Sequence, residues 1–121
     1  MSGGVPWPTD LAYRKDDRAL KVTFDDGTSF KLPAEYLRVE SPSAEVQGHG
    51  SAQKQTVAGK RNVEVARIEP VGRYAVRIVF NDGHDTGLFS WSYLHELGRE
   101  QAKRWADYER RLTAARLSRD G

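Results

Sequence analysis

Apolar and polar residues alternate along Leu20-Lys21-Val22-Thr23-Phe24, the period of a strand with one buried face. Asp25-Asp26-Gly27 interrupts the pattern where a tight hairpin turn fits, because Gly tolerates positive φ. Ser29-Phe30-Lys31-Leu32 resumes the alternation, Pro33 stops it, and Ala34-Glu35-Tyr36-Leu37 suits one helical turn. Upstream, Leu11-Ala12-Tyr13 reads as a short strand before a turn at Asp16-Asp17, and residues 1–8, broken by Gly3, Gly4, Pro6 and Pro8, as a flexible lead.

The alternation returns at Val63–Ile68, and Gly72 marks a turn. Tyr74–Phe80, rich in β-branched and aromatic residues, is the strongest strand signal in the chain. Asn81–Asp85 predicts a second turn and Thr86–Phe89 a return strand. The period then changes to helical. Ser90 suits a helix cap, Trp91, Leu94 and Leu97 share a face, and Gly98 ends or bends the helix. Trp105, Tyr108, Leu112 and Ala115 continue the spacing. Between the two strand sets, residues 43–60 are small, polar and glycine-rich, which predicts a mobile loop.

Two segments echo each other. Leu20–Leu37 and Val76–Leu94 both run strand, Phe, acidic or amide residue, Asp-Gly, short strand, helical turn and Tyr-Leu. The second is longer by one residue, which falls near His84. Chance convergence of two hairpin–helix units would also produce this pattern. The expected fold is α+β: an antiparallel sheet built on two Asp-Gly hairpins, with C-terminal helices packed on it. Residues 9–97 form the domain and 98–121 a helical extension. The expected core comprises Val22, Phe24, Ile68, Val76, Ile78, Phe80, Leu94 and Trp105.

Composition then narrows the function. A chain of 121 residues fits one domain and can bury a core without disulfide or metal. It has no cysteine, which excludes disulfides, thiolate metal sites and cysteine nucleophiles. The net charge of +2 is too small to argue for nucleic acid by itself. The start resembles no signal peptide and no apolar run would span a bilayer, so a cytoplasmic protein without membrane contact is expected.

An ordered set of motifs carries a resemblance. Val71-Gly72-Arg73-Tyr74-Ala75-Val76, Phe80-Asn81-Asp82-Gly83-His84, Gly87-Leu88-Phe89-Ser90 and Tyr93-Leu94 resemble the γ-butyrobetaine hydroxylase-like N-terminal domain family, long known as DUF971. Leu20, Asp26-Gly27, Leu32-Pro33 and Leu37-Arg38 match as well, so the similarity runs over roughly residues 8–97. The resemblance implies a non-catalytic domain. Members of the family stand alone in bacteria, or are fused to iron(II)/2-oxoglutarate oxygenases of carnitine synthesis or to ATPases related to iron–sulfur cluster assembly. In the hydroxylase, three cysteines just after the Leu-Arg pair and one histidine in the later turn hold a structural zinc. Here the cysteine positions are Ser41, Ser43 and Val46, while the histidine, His84, is kept. Serine is a poor zinc ligand and valine offers no donor, so the zinc site is degenerate and no cofactor is expected.

The implied role is an accessory or interaction domain for an unidentified protein partner. By family analogy that partner is an oxygenase or an iron–sulfur assembly component. The alternative is a divalent-metal site around His84, with His49, Asp82 and Asp85 as candidate ligands. The same four residues are candidates for an interaction surface. No nucleophile elbow, phosphate-binding glycine loop or H-E-x-x-H is present, so no enzyme is expected. Lys103, Arg104, Arg110, Arg111, Arg116 and Arg119 would suit phosphates, and Trp105 and Tyr108 would suit bases. Their helical spacing favours burial of the aromatics instead, so nucleic acid is not expected.

Overall fold

A computed structural model describes residues 6–43 and 56–120. It is α+β, with two antiparallel three-stranded sheets in place of the single sheet expected. The first comprises β1 (Pro8–Arg14), β2 (Ala19–Phe24) and β3 (Ser29–Pro33), followed by α1 (Ala34–Val39). The second comprises β4 (Val65–Val71), β5 (Ala75–Phe80) and β6 (Leu88–Ser90), followed by α2 (Trp91–Arg99) and α3 (Gln101–Ala114). Neither sheet can bury its apolar face alone. One core joins Leu20, Val22, Phe24 and Leu32 of the first to Val76, Ile78, Phe80 and Phe89 of the second, with Leu37, Leu94 and Leu97 from the helices.

The echo is a structural repeat. β1 pairs with β2 as β4 pairs with β5, including an irregularity at the same place, Pro8/Asp10 and Val65/Arg67. Both Asp-Gly turns have one geometry. Gly27 N–H and Gly83 N–H donate to Phe24 O and Phe80 O at 3.1 Å, while Phe24 N–H and Phe80 N–H donate to Thr28 O and His84 O at 2.9 and 3.0 Å. Each glycine has a φ near +90°, the three-residue hairpin turn closed by a left-handed glycine. The first turn leads into β3 after residues 25–28, whereas the second connection spans 81–87, with one extra residue and a β6 of three residues against the five of β3.

The halves grip one another reciprocally. The Tyr36 hydroxyl donates to Leu97 O at 2.7 Å, and its counterpart Tyr93 donates to Glu40 O at 2.5 Å. Asp26 holds His95 at 2.9 Å, and Asp82 holds Arg38 at 2.9 Å. Gly98 lies so close to Phe30 that a Cβ would overlap the ring; Gly87 lies equally close to Ser41. In each pair the two residues exchange halves, as across a two-fold axis.

Several details depart from the sequence reading. Trp7 and Pro8 are not a free lead: Trp7 N–H donates to the Asp25 carboxylate at 3.0 Å, and β1 begins at Pro8. β4 runs to Val71 through Pro70, which an edge strand accommodates because its outer side needs no donor. Ile68, on that edge, is half-buried. So is Trp105, whose ring lies under Arg119. The other six expected core residues are buried. The helix break falls at Glu100, not at Gly98. Of the expected mobile loop, 44–55 lie outside the described residues.

The reciprocal tyrosines yield a prediction. Tyr36→Phe and Tyr93→Phe each leave a carbonyl without its donor and should each cost about 1–2 kcal/mol in denaturant melts. An effect confined to one of the two would show that the grip is one-sided.

Candidate functional site

α1 ends at Glu40, and the chain turns inward through Ser41-Pro42-Ser43. From the other half, the left-handed Gly83 delivers His84 to the same place. His84 N–H donates to Asp82 Oδ1 at 3.1 Å, which fixes the turn and aims the imidazole inward. His84 Nε2 then lies 2.9 Å from Ser41 Oγ and 3.4 Å from Ser43 Oγ. Ser41 is 0% exposed, and Ser43 and His84 are each 7% exposed. Gly87 leaves the room that the Ser41 hydroxyl occupies. The fold thus brings together Ser41, Ser43 and His84, three of the four positions that the resemblance sets against the hydroxylase's zinc ligands. The fourth, Val46, lies outside the described residues, as does His49.

The donor set does not fit zinc. One imidazole nitrogen faces two neutral hydroxyls, where zinc favours thiolate, imidazole or carboxylate. Among the described residues no cluster of three or more His, Cys, Asp or Glu is placed to hold a metal. Asp82 does not converge on the His84 ring. Its carboxylate turns to Arg38 Nε at 2.9 Å and Lys60 Nζ at 2.6 Å. Burial acts to raise the Asp82 pKa, but the Lys60 ammonium, the His84 N–H and the Arg38 guanidinium outweigh it and lower it to about 2. Asp85 is exposed. The interaction surface expected around Asp82, His84 and Asp85 is therefore not a surface at His84, because the imidazole is interior.

Beneath this node lies a buried carboxylate. Glu40, 1% exposed, accepts from Arg104 at 2.9 Å and faces Arg111 at 3.7 Å. Arg104 also binds Glu100 at 2.9 Å and Glu96. A buried charge needs such partners, and here they tie α3 to the end of α1. The basic residues proposed for phosphates are largely spent in this way. Arg119 makes a bidentate pair with Glu35, and Arg110 binds Asp107. Tyr108 is fully buried, and burial, followed by the nearby Glu35 charge, raises its pKa to about 12. The proposed base-stacking platform is thus closed, while Lys103 and Arg116 remain exposed.

A site that the sequence reading missed lies elsewhere. Trp7, Tyr74 and Trp91 cluster at the surface, with ring centroids 5.8 Å apart for Trp7–Tyr74 and 6.2 Å for Trp7–Trp91. They line a cleft with Ser90 and Ser92. Tyr74 is 66% exposed and Trp7 44%. The repeat shows that the fold does not require these rings. Trp91 N–H donates to Tyr74 O as Ala34 N–H donates to Arg18 O, and Trp7 occupies the place of Glu64. Arg18, Ala34 and Glu64 serve the same backbone without a single ring. Pro-Trp-Pro at 6–8 was the available signal, hidden by its position in an apparent lead.

The molecule so defined is a twofold-repeated α+β domain with a hydrogen-bonded Ser–His node between its halves. The sequence model of the family "Gamma-butyrobetaine hydroxylase-like, N-terminal" matches residues 11–95, and the chain belongs to that family. No curated protein matches. Two solution NMR structures are similar: one at 45% identity and TM-score 0.84, covering 97% of this chain and 92% of that one; the other at 47% identity and TM-score 0.83, covering 98% and 89%. A crystal structure of a DUF971-family protein of unknown function from Acidithiobacillus ferrooxidans ATCC 23270 is similar at 40% identity and TM-score 0.64, covering 75% of this chain and 91% of that one. No helix among the described residues is long and apolar enough to cross a membrane.

The Asp82 pairing yields a pH prediction. A carboxyl lowered from 3.8 to about 2 on folding contributes stability that is present above about pH 4 and is lost as pH falls towards 2. Asp82→Asn should lower stability at pH 7 by about 1–2 kcal/mol and flatten the acid limb, measured by urea melts from pH 2 to 7. Asp26, lowered to about 2 chiefly by the Thr28 hydroxyl and N–H, should preserve part of that limb in the variant.

Proposed function

We propose that this chain is a non-catalytic accessory domain that acts by binding a partner protein. The observation that carries the reading is the Trp7–Tyr74–Trp91 cluster: three rings at the surface where the repeat-related positions are Glu64, Arg18 and Ala34. Aromatic residues are enriched at protein interfaces, where they supply most of the binding energy for their number. The chemistry of the Ser41–Ser43–His84 node agrees. A buried serine hydroxyl against imidazole holds α1 to the second turn but offers no accessible nucleophile and no open ligand position. An oxygenase and an iron–sulfur assembly component are the candidate partners by family analogy alone.

Trp7→Ala and Tyr74→Ala test the reading. The exposed Tyr74 ring should cost less than about 1 kcal/mol of stability when removed. The Kd for the native partner, purified and titrated by calorimetry, should rise at least tenfold for the pair of substitutions. An unchanged Kd would place the interface elsewhere.

A second reading, a metal-binding domain around His84, draws on the convergence of Ser41, Ser43 and His84. Elemental analysis of tag-free protein, with thermal melts before and after a strong chelator, separates the two. The accessory reading expects metal-free protein and an unmoved melt. Stoichiometric zinc, with a melt lowered by chelator and restored by zinc, favours the metal reading instead.

A further inference from the structure

We propose that this protein exchanges halves with a second copy of itself, forming a two-fold dimer in which residues 6–43 of one chain complete residues 56–120 of the other. Three observations lead there. First, the contacts between the halves are reciprocal. Tyr36 to Leu97 matches Tyr93 to Glu40, Asp26 to His95 matches Asp82 to Arg38, and Phe30 against Gly98 matches Gly87 against Ser41. A surface recognised by the body 56–120 of its own chain is recognised equally by that body in another chain, so exchange loses none of these contacts.

Second, the division between the bodies is clean. Residues 56–63 stay with the C-terminal segment, because Gly59 N–H and Arg61 N–H donate to Ser118 O and Arg119 O at 3.0 Å each. The only covalent link between 6–43 and 56–120 is the stretch 44–55. Twelve residues can span at most roughly 40 Å. Third, each half leaves its sheet uncovered without the other, since a single core runs through both. Exchange therefore passes through unfolded chains, and the dimer is populated when folding occurs at high chain concentration.

The exchange bears on the sites already described. Trp7 comes from one body and Tyr74 and Trp91 from the other; Ser41 and Ser43 come from one and His84 from the other. In the dimer each aromatic cluster and each Ser–His node is assembled from two chains. One particle then presents two identical partner surfaces, a bivalent form of the same domain.

The absence of cysteine makes the test direct. Full-length Ser41→Cys and Gly87→Cys chains are prepared separately, unfolded together, refolded at high concentration and oxidised. The expected result is a disulfide-linked heterodimer on a non-reducing gel. It should be at least tenfold more abundant than the linked product from either variant alone, and absent when the two are mixed without unfolding. The single-chain Ser41→Cys/Gly87→Cys variant is the positive control, since its disulfide should close within the monomer. A control that closes, with no heterodimer after joint refolding, overturns the proposal. Should the control fail to close, light scattering on wild-type protein refolded at high concentration decides. A dimer whose amide spectrum superimposes on that of the monomer supports exchange. A monomer throughout, or a dimer with shifted resonances across the sheets, overturns it.

Discussion

Neither half of this protein covers its own sheet, and everything else follows from that constraint. Leu20, Val22 and Phe24 need Val76, Ile78 and Phe80 opposite them, and the two sets meet in one core. The polar devices that close the seam are correspondingly doubled. Two tyrosine hydroxyls, that of buried Tyr36 and that of half-buried Tyr93, reach across to carbonyls of the opposite half, and two turn aspartates reach across to the opposite helix. Burial pushes both hydroxyls well above the usual tyrosine range, so they remain protonated donors through the physiological range. The two tyrosine hydrogen bonds across the seam therefore keep their protonation near neutral pH. At its rim, Asp26 and Asp82 are held well below the usual carboxylate range and lose their charge only in acid.

The Ser–His node is a local variation on this shared frame. At the equivalent place in the other half stand Thr28 and Gly98, with the Phe30 ring filling the space. Where Gly87 replaces a Phe30-like residue, the ring is gone and the Ser41 hydroxyl and His84 imidazole occupy the volume instead. The extra residue in the second turn, between His84 and Gly87, belongs to the same change. The node follows the logic of buried polar groups, each finding a partner because water is excluded.

Much of this was legible in the sequence. The strands, the Asp-Gly turns, the Ser90 cap and the aromatic helix face all follow from periodicity and turn chemistry, which are local. The positions of Ser41, Ser43 and His84 were legible through the family resemblance, and the structure does bring them together. What was hidden is what depends on long-range packing. Alternation cannot say whether two hairpins share one sheet or form two, because either arrangement buries the same face. Nor does it show that Ile68 lies on an edge strand or that Glu40 is buried under Arg104 and Arg111. Trp7 was unreadable for the same reason. Its partners, Tyr74 and Trp91, lie far along the chain, and only the fold brings the three rings together.

Because the two repeats are joined in one chain, positions that are spatially equivalent are specified independently. In a dimer of identical halves, a ring placed at Trp91 would also appear at Ala34, and a glycine at 87 would also replace Phe30. Each change would be made twice, and the core would have to tolerate both copies. Here the first repeat keeps Phe30 and Ala34 and the steadiness they give the scaffold, while the second carries His84, Tyr74 and Trp91 at its own positions. Covalent linkage has turned a symmetric framework into one with a conservative side and a side open to variation.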